Sequence, residues 1–173
     1  MKNILVLTLI FLSSLTQAQL TSKDEVAQEL VAKREQQKKE ITNSYLALKN
    51  SMVDSDMQAI SSNAIKFQDA LKNFKFKKLK LQDMNVATNS RKELLELATT
   101  IATSKNINEQ RKIFESLSVK FWEQAAKFKS VDTNLHLQVC PMTGAQWISD
   151  SKEIRNPYYP KNMLTCGEVK ASM

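Results

Sequence analysis

Glycine and proline are confined to the end of this chain, and that confinement decides what the remainder can become. Both glycines, Gly144 and Gly167, and all three prolines, Pro141, Pro157 and Pro160, lie beyond residue 139. Residues 19–139 therefore lack the two strongest helix breakers, which favours long helices there. The chain reads as a helical body followed by an irregular tail.

Apolar spacing divides the body into four helices. Ser22 with Glu25 at the capping-box distance predicts the first helix start. Lys33–Glu40 is charged on all sides and reads as solvent-facing. Ile41, Tyr45, Leu48 and Met52 then form one helical stripe. Asp54 or Ser55 is placed to cap a second helix burying Ile60, Ala64, Phe67, Leu71 and Phe74. A third is predicted from Ser90, paired with Glu93, burying Leu94, Leu97, Ala98 and Ile101. A fourth starts at Asn106, paired with Glu109, and runs through Ile113, Leu117, Phe121, Ala125 and Phe128. Short connections between amphipathic helices predict a mainly α protein, an up-down four-helix bundle.

Between the second and third helices, Lys72–Leu81 interleaves five lysines with Phe74, Phe76, Leu79 and Leu81. The run reads either as a strip for a membrane surface or partner, or as a frayed helix end with its lysines in water.

The first residues read as a leader. Lys2 is basic, Ile4–Leu15 is almost wholly apolar, and Thr16-Gln17-Ala18 offers a small-x-small cleavage site. The apolar run is short against the roughly 20 residues of a membrane-spanning helix, so residues 1–18 are expected to be a cleaved signal peptide. About 155 residues then remain, enough for one domain over 19–173. The expected product is periplasmic or secreted, and does not span a membrane. The chain carries a net charge of +7. In an exported protein such a charge points to anionic lipids, acidic glycans or an acidic partner before nucleic acid, and no nucleic-acid-binding signature is present.

From Val131 the period changes. Leu135, Leu137 and Val139 alternate with His136, Gln138 and Cys140, a strand pattern that Trp147-Ile148 and Glu168-Val169 are suited to pair with. The fold expected over 131–173 is therefore a small irregular and β extension on the bundle. It carries the only cysteines, Cys140 in Cys140-Pro141-Met142 and Cys166 in Met163-Leu164-Thr165-Cys166. Each thus has a methionine two or three residues away. Thiolates and thioethers are soft donors that select Cu(I) and similar ions over Mg²⁺ or Ca²⁺. Residues two apart in an extended segment share a face about 6–7 Å apart, and residues three apart in a helical turn are about 5–6 Å apart at Cβ. Chain reversal between Gly144 and Pro160 would let the four sulfurs converge. His136, the only histidine, stands about 13 Å from Cys140 in a regular strand, and would join the donors only through a bulge or bend. Otherwise it is a surface strand histidine.

A Cys140–Cys166 disulfide competes with this reading. An even cysteine count in an oxidising compartment favours it, and closing that loop stabilises a fold by about 3–4 kcal/mol. Metal ligation and the disulfide exclude each other at any one moment. Catalysis has little in its favour. The strand spacing keeps His136 and Cys140 apart as a nucleophile-base pair, and no paired-carboxylate motif, phosphate loop or zinc spacing is present. A non-enzymatic protein is expected.

The tail motifs Cys140-Pro141-Met142, Trp147-Ile148-Ser149, Glu153-Ile154-Arg155-Asn156-Pro157-Tyr158-Tyr159 and Met163-Leu164-Thr165-Cys166-Gly167-Glu168-Val169, with Tyr45-Leu46-Ala47-Leu48-Lys49 in the body, resemble a bacterial periplasmic family called domain of unknown function 3347. The resemblance runs from about Ile41 to the C-terminus. One departure is the short connection, Thr143–Gln146, between the first motif and the tryptophan. Members of that family occur alone or fused to adaptor subunits of heavy-metal efflux pumps. The resemblance implies handling of copper or another soft metal, with Cys140, Met142, Met163 and Cys166 as motif residues and an efflux adaptor or other periplasmic protein as partner. The expectation is sequestration of Cu(I) or its delivery to efflux; the alternative is a disulfide-stabilised structural or interaction module. In the Glu153–Tyr159 segment, Arg155 is suited to clamp a carboxylate or carbonyl, and Asn156 before Pro157 favours a turn. The segment reads as a clasp that returns Met163–Cys166 toward Cys140.

Overall fold

The computed structural model describes residues 2–76 and 80–173. Among them the chain forms α1 (Lys2–Asp54), α2 (Met57–Asn73), α3 (Leu81–Thr103) and α4 (Ile107–Phe128), followed by β1 (His136–Val139), β2 (Gln146–Ser149) and β3 (Glu168–Ser172). Two units are distinguishable, residues 1–36 and 37–173. In the first, the described side chains from Asp24 onward are exposed or half-buried. The side chains of the expected leader, 1–18, and of Ser22 lie outside the described residues. The backbone is helical through Ser22, so the Ser22–Glu25 pair does not mark a helix start. Among the described residues no helix is long and apolar enough to cross a membrane.

The second unit holds the core. Ile41, Tyr45, Leu48 and Met52 of α1 are fully buried, as the stripe predicts. They meet Ile60, Ala64, Phe67 and Leu71 of α2, Leu94, Ala98 and Ile101 of α3, and Leu117, Phe121, Ala125 and Phe128 of α4. Leu97 and Ile113 are only half-buried, while Phe114, absent from the expected stripe, is fully buried. The protein is a mainly α helical bundle with a small sheet.

Two further helix starts differ from expectation for definable reasons. Ser55 takes a left-handed φ of 58°, ending α1, and Asp56 rather than Asp54 or Ser55 caps α2. Its carboxylate accepts from the Gln58 and Ala59 amides at 3.0 and 2.9 Å, which satisfies donors that the first helical turn leaves open. The third helix begins at Leu81, well before Ser90, because nothing between them breaks a helix. Those early turns bury only Ala87 and leave Leu81 and Val86 exposed, so they have no apolar stripe to announce them. Asn106 does cap α4, accepting from Asn108 and Glu109. Its own amide goes to Ser104 Oγ at 3.2 Å, and the Glu109 carboxylate accepts from that hydroxyl instead of reaching back as a capping box requires.

Of the basic run, Lys77, Lys78 and Leu79 lie outside the described residues. Phe74 is fully buried and Phe76 packs on Phe74 and Phe128, with the Arg91 guanidinium 5.3 Å from its ring centre. At least the aromatic part of this strip is core.

The strands form an antiparallel sheet in the order β2-β1-β3. His136 pairs across to Ser149 and Ser172, and a bulge interrupts the β1–β3 register between Leu137 and Gln138. Strict alternation would expose His136 and Gln138, yet they are 8% and 0% exposed. Gln138 is satisfied there: its amide donates to the Ser151 and Glu153 carbonyls and accepts from the Trp147 indole. His136 Nδ1 lies 2.7 Å from Ser172 Oγ. It is a buried histidine, not a surface one.

Tyr45 ties sheet to bundle. Its ring packs on Phe67, Phe114 and Phe121. Its hydroxyl lies 2.7 Å from Ser118 Oγ on α4 and accepts from the Ile148 amide of β2 at 3.1 Å. Burial pushes its pKa far above the ordinary value, so it stays protonated. Tyr45→Phe would leave the Ile148 N–H buried without a partner. It is expected to cost about 1–3 kcal/mol, read as a lower urea midpoint with unchanged helical circular dichroism.

Candidate functional site, a buried pair of thiols

Cys140 follows the first strand and opens a tight turn. Its carbonyl accepts from the amides of Thr143 and Gly144 at 3.3 and 2.8 Å, and its own amide donates to Ala145 O at 2.9 Å. Gly144 has a φ of +76°, which a residue without Cβ reaches freely. Pro141 and Met142 occupy the outer corner, with Met142 74% exposed. Cys140 itself is fully buried in the core cluster.

Cys166 arrives from the opposite direction. Its amide donates to Met163 O at 3.1 Å, and the Met163 amide to Tyr159 O at 2.8 Å, so successive turns carry the chain from Tyr159 to the cysteine. The two thiols are free and lie 3.8 Å apart, Cys166 being half-buried. The thioethers of Met142 and Met163 ride on the two turns that carry the thiols. Neither methionine is fully buried.

Asn156 holds this arrangement, and it is fully buried. Its side-chain oxygen accepts from the amides of Tyr158 and Tyr159, its side-chain nitrogen donates to Cys166 O at 3.0 Å, and its own amide donates to Leu164 O at 2.7 Å. Thus the expected clasp exists, but Asn156 forms it. Arg155 makes an exposed contact with Asp54 at 3.8 Å, which contributes little. Gly167 closes the segment onto the sheet. A Cβ there would meet Ile154 Cγ2 and Trp147 Cη2 at 2.8 Å each. Tyr158 packs edge-on against Trp147 and donates to Gln146 O. Arg111 adds three bonds, from Nε to Pro157 O at 2.9 Å and from Nη2 to Met52 O and Ser55 Oγ.

The two sulfurs are not equivalent electrostatically. Burial pushes the Cys140 thiol up, but hydrogen bonds from the Thr143 hydroxyl and the amides of Met142 and Thr143, together with one from Cys166, outweigh it and bring it below the usual thiol range. Burial, and then the hydrogen bond and charge of Cys140, push Cys166 up. The pair therefore favours a thiolate on Cys140 that accepts from a protonated Cys166. Lys49 on α1 is 4% exposed. Burial lowers its pKa against the opposing pull of Asp150, Glu153 and Asp54. A cleft of about 360 Å³ opens beside the turn, between Arg111 and Glu115 on α4, Tyr159, and Thr143.

Of the residues singled out from sequence, the fold brings together Cys140 and Cys166. His136 sits at the other end of β1, bonded to Ser172. Among the described residues no three His, Cys, Asp or Glu side chains gather as a metal-holding group, so the histidine does not add a third such donor to the cysteines. Thr143 and Gly167 were not anticipated as supports of the pair, whereas Asn156 was expected to turn the chain before Pro157 within the clasp.

Residues 41–133 match the family described as Protein of unknown function (DUF3347), and the chain belongs to that family. The matched residues are the helical body, and the sulfur-bearing tail lies beyond them. No curated protein and no solved structure matches the chain.

Asn156→Ala removes partners from three buried or half-buried backbone groups. The expected loss is about 1–3 kcal/mol of stability, with faster alkylation of Cys166 in the native protein than in wild type.

Proposed function

We propose that this member of the family is an exported soft-metal binder that takes Cu(I), or a similar ion, through Cys140 and Cys166. Its action would be to sequester the ion or deliver it to an efflux adaptor or another periplasmic protein. The observation that carries the reading is the 3.8 Å separation of two free sulfurs contributed by segments 26 residues apart. Two thiolates held about 2.3 Å from one tetrahedral ion stand about 3.8 Å apart, so the ion would enter with little movement of either ligand. Soft sulfur donors set the class of ion. Met142 and Met163 are the nearest thioethers in sequence and belong to the same two turns. Export is supported by the apolar run Ile4–Leu15.

A second reading is favoured by the same proximity. A disulfide needs a separation of about 2.05 Å, a short further approach, and would staple the tail to the sheet without any ion. Thiol titration of protein taken from the periplasm separates the two. Free thiols support ligation, whereas thiols recovered only after reduction support the staple.

The reduced protein is expected to retain Cu(I) against a chelator, and Cys140→Ala/Cys166→Ala to lose it. Retention by the double variant would end the proposal. Ligand thiols must shed their protons to bind. Cys166, raised above the usual thiol range, is protonated at neutral pH and releases its proton on binding. Affinity should therefore rise with pH, by about tenfold per unit for each proton released, and weaken on acidification. An affinity flat from pH 6 to 8 would show that no thiol proton is displaced.

A further inference from the structure

The two sulfurs differ in access as well as in partners. Cys140 is fully buried, at the end of β1 and inside the core cluster, and is fixed by the turn through Gly144. Cys166 is half-buried, on a segment whose neighbours Leu164 and Thr165 are exposed. Between the two sulfurs lies 3.8 Å and no intervening atom is needed for one to reach the other. An external reagent thus meets Cys166 first, and whatever becomes attached to Cys166 is at once within reach of Cys140. That combination of one accessible thiol and one sheltered thiol in contact with it is what stepwise thiol–disulfide exchange requires.

We propose that Cys166 and Cys140 form a redox-active dithiol that exchanges with the disulfide of an external substrate. Cys166 first passes its proton to the Cys140 sulfur that it faces, and the Cys166 thiolate so formed attacks one sulfur of the substrate disulfide. That S–S bond breaks, a mixed disulfide forms on Cys166, and the first substrate thiolate leaves and takes up the proton now held by Cys140. The Cys140 thiolate then attacks Cys166 Sγ. The mixed disulfide breaks, the second substrate thiolate leaves and takes a proton from water, and a Cys140–Cys166 disulfide remains. Two protein thiols are oxidised and one substrate disulfide is reduced to two thiols, and the reverse sequence reopens the pair. Cys166 is the exchanging thiol and Cys140 the resolving one. This activity uses the thiols proposed above as ligands but needs no ion.

The geometry argues for exchange over a permanent staple. Cys166 is only half-buried, so a reductant can approach it by the same route as the oxidant. Tail backbone groups are anchored by Asn156, Arg111 and Gln138 whether or not the sulfurs are joined. The fold does not depend on the bond to hold the segment, so opening it does not require unfolding.

The test uses metal-free, reduced protein with a chelator present, so its outcome is separate from that of copper retention. Glutathione disulfide is one probe and an unfolded peptide with a single internal disulfide is the other. Acid-quenched samples are read by intact mass and peptide mapping. Wild type is expected to pass to the internal disulfide, with loss of two hydrogens and little standing adduct. Cys140→Ser should accumulate a stable adduct on Cys166, at a level at least about tenfold above wild type. Cys166→Ser should react slowly, its remaining thiol being buried. Reduced glutathione should reopen the wild-type pair. Faster reaction with the peptide would identify a polypeptide donor, and faster reaction with glutathione disulfide a small-molecule one. Both support exchange. Modification of Cys140 in Cys166→Ser as fast as of Cys166 in Cys140→Ser would overturn the assignment. Unreactive wild-type thiols, or a disulfide that native protein does not reopen, would overturn the proposal. Should either variant lose its helical circular dichroism, the order in which the two wild-type cysteines are labelled decides the same question.

Discussion

From Asp150 to Gly167 the chain packs against the bundle without a hydrogen-bonded ladder of its own. A segment in that position must still satisfy its buried amides and carbonyls, because each one left open costs about as much as a lost hydrogen bond. Here side chains supply most of the partners. Asn156 serves the amides of Tyr158 and Tyr159 and the carbonyl of Cys166, while Gln138 serves the carbonyls of Ser151 and Glu153. Arg111 serves the carbonyl of Pro157. The path of the segment is set by where those side chains stand, and they stand on β1, on α4, and within the segment itself. Position of the second thiol is therefore a consequence of polar satisfaction more than of apolar burial.

The first thiol is positioned by different means. Cys140 follows a strand pinned by its two neighbours, and the sheet is fixed to the helices through the Tyr45 hydroxyl and the Ile148 amide. Trp147, fully buried, links the two halves. Its indole donates to Gln138, and its ring edge leaves room for Gly167 but not for a side chain. Any residue larger than glycine there would push the Cys166 segment away from the sheet or displace the indole. The sulfur separation thus reports on two independent supports meeting at one place, the sheet from below and the Asn156 clasp from above.

Much of the bundle was legible in the sequence because helical periodicity and the absence of breakers are local signals. The stripe through Tyr45, the faces of α2 and α4, and the Asn106 cap all follow from spacing alone. The start of α3 was not legible, since residues 81–90 bury almost nothing and so carry no stripe. Asp56 was missed in favour of its neighbours because the residue that leaves the helix, Ser55, does so through a left-handed backbone angle that composition does not mark. In the tail, strand alternation located β1 but assigned the wrong surroundings to His136 and Gln138, whose burial depends on partners distant in sequence. The cysteines were identifiable as a pair, and their convergence through a clasp over Glu153–Tyr159 was expected. The supports at Thr143 and Gly167 were not, because their roles exist only once the chain has turned back.

The proposed uses of the thiols are linked by a single equilibrium. An ion held by both sulfurs occupies the electron pairs that exchange requires, and a disulfide removes the thiolates that the ion requires. Each ligand that binds only one state of the pair stabilises that state by mass action. Ion occupancy would thereby protect the thiols from oxidants, and oxidation would release the ion. Since the tail is held by Asn156, Gln138 and Arg111 in any case, neither event needs a change of fold to be communicated to the other. The coupling is confined to two sulfur atoms, and its direction is set by which reagent reaches Cys166, the less buried of the pair.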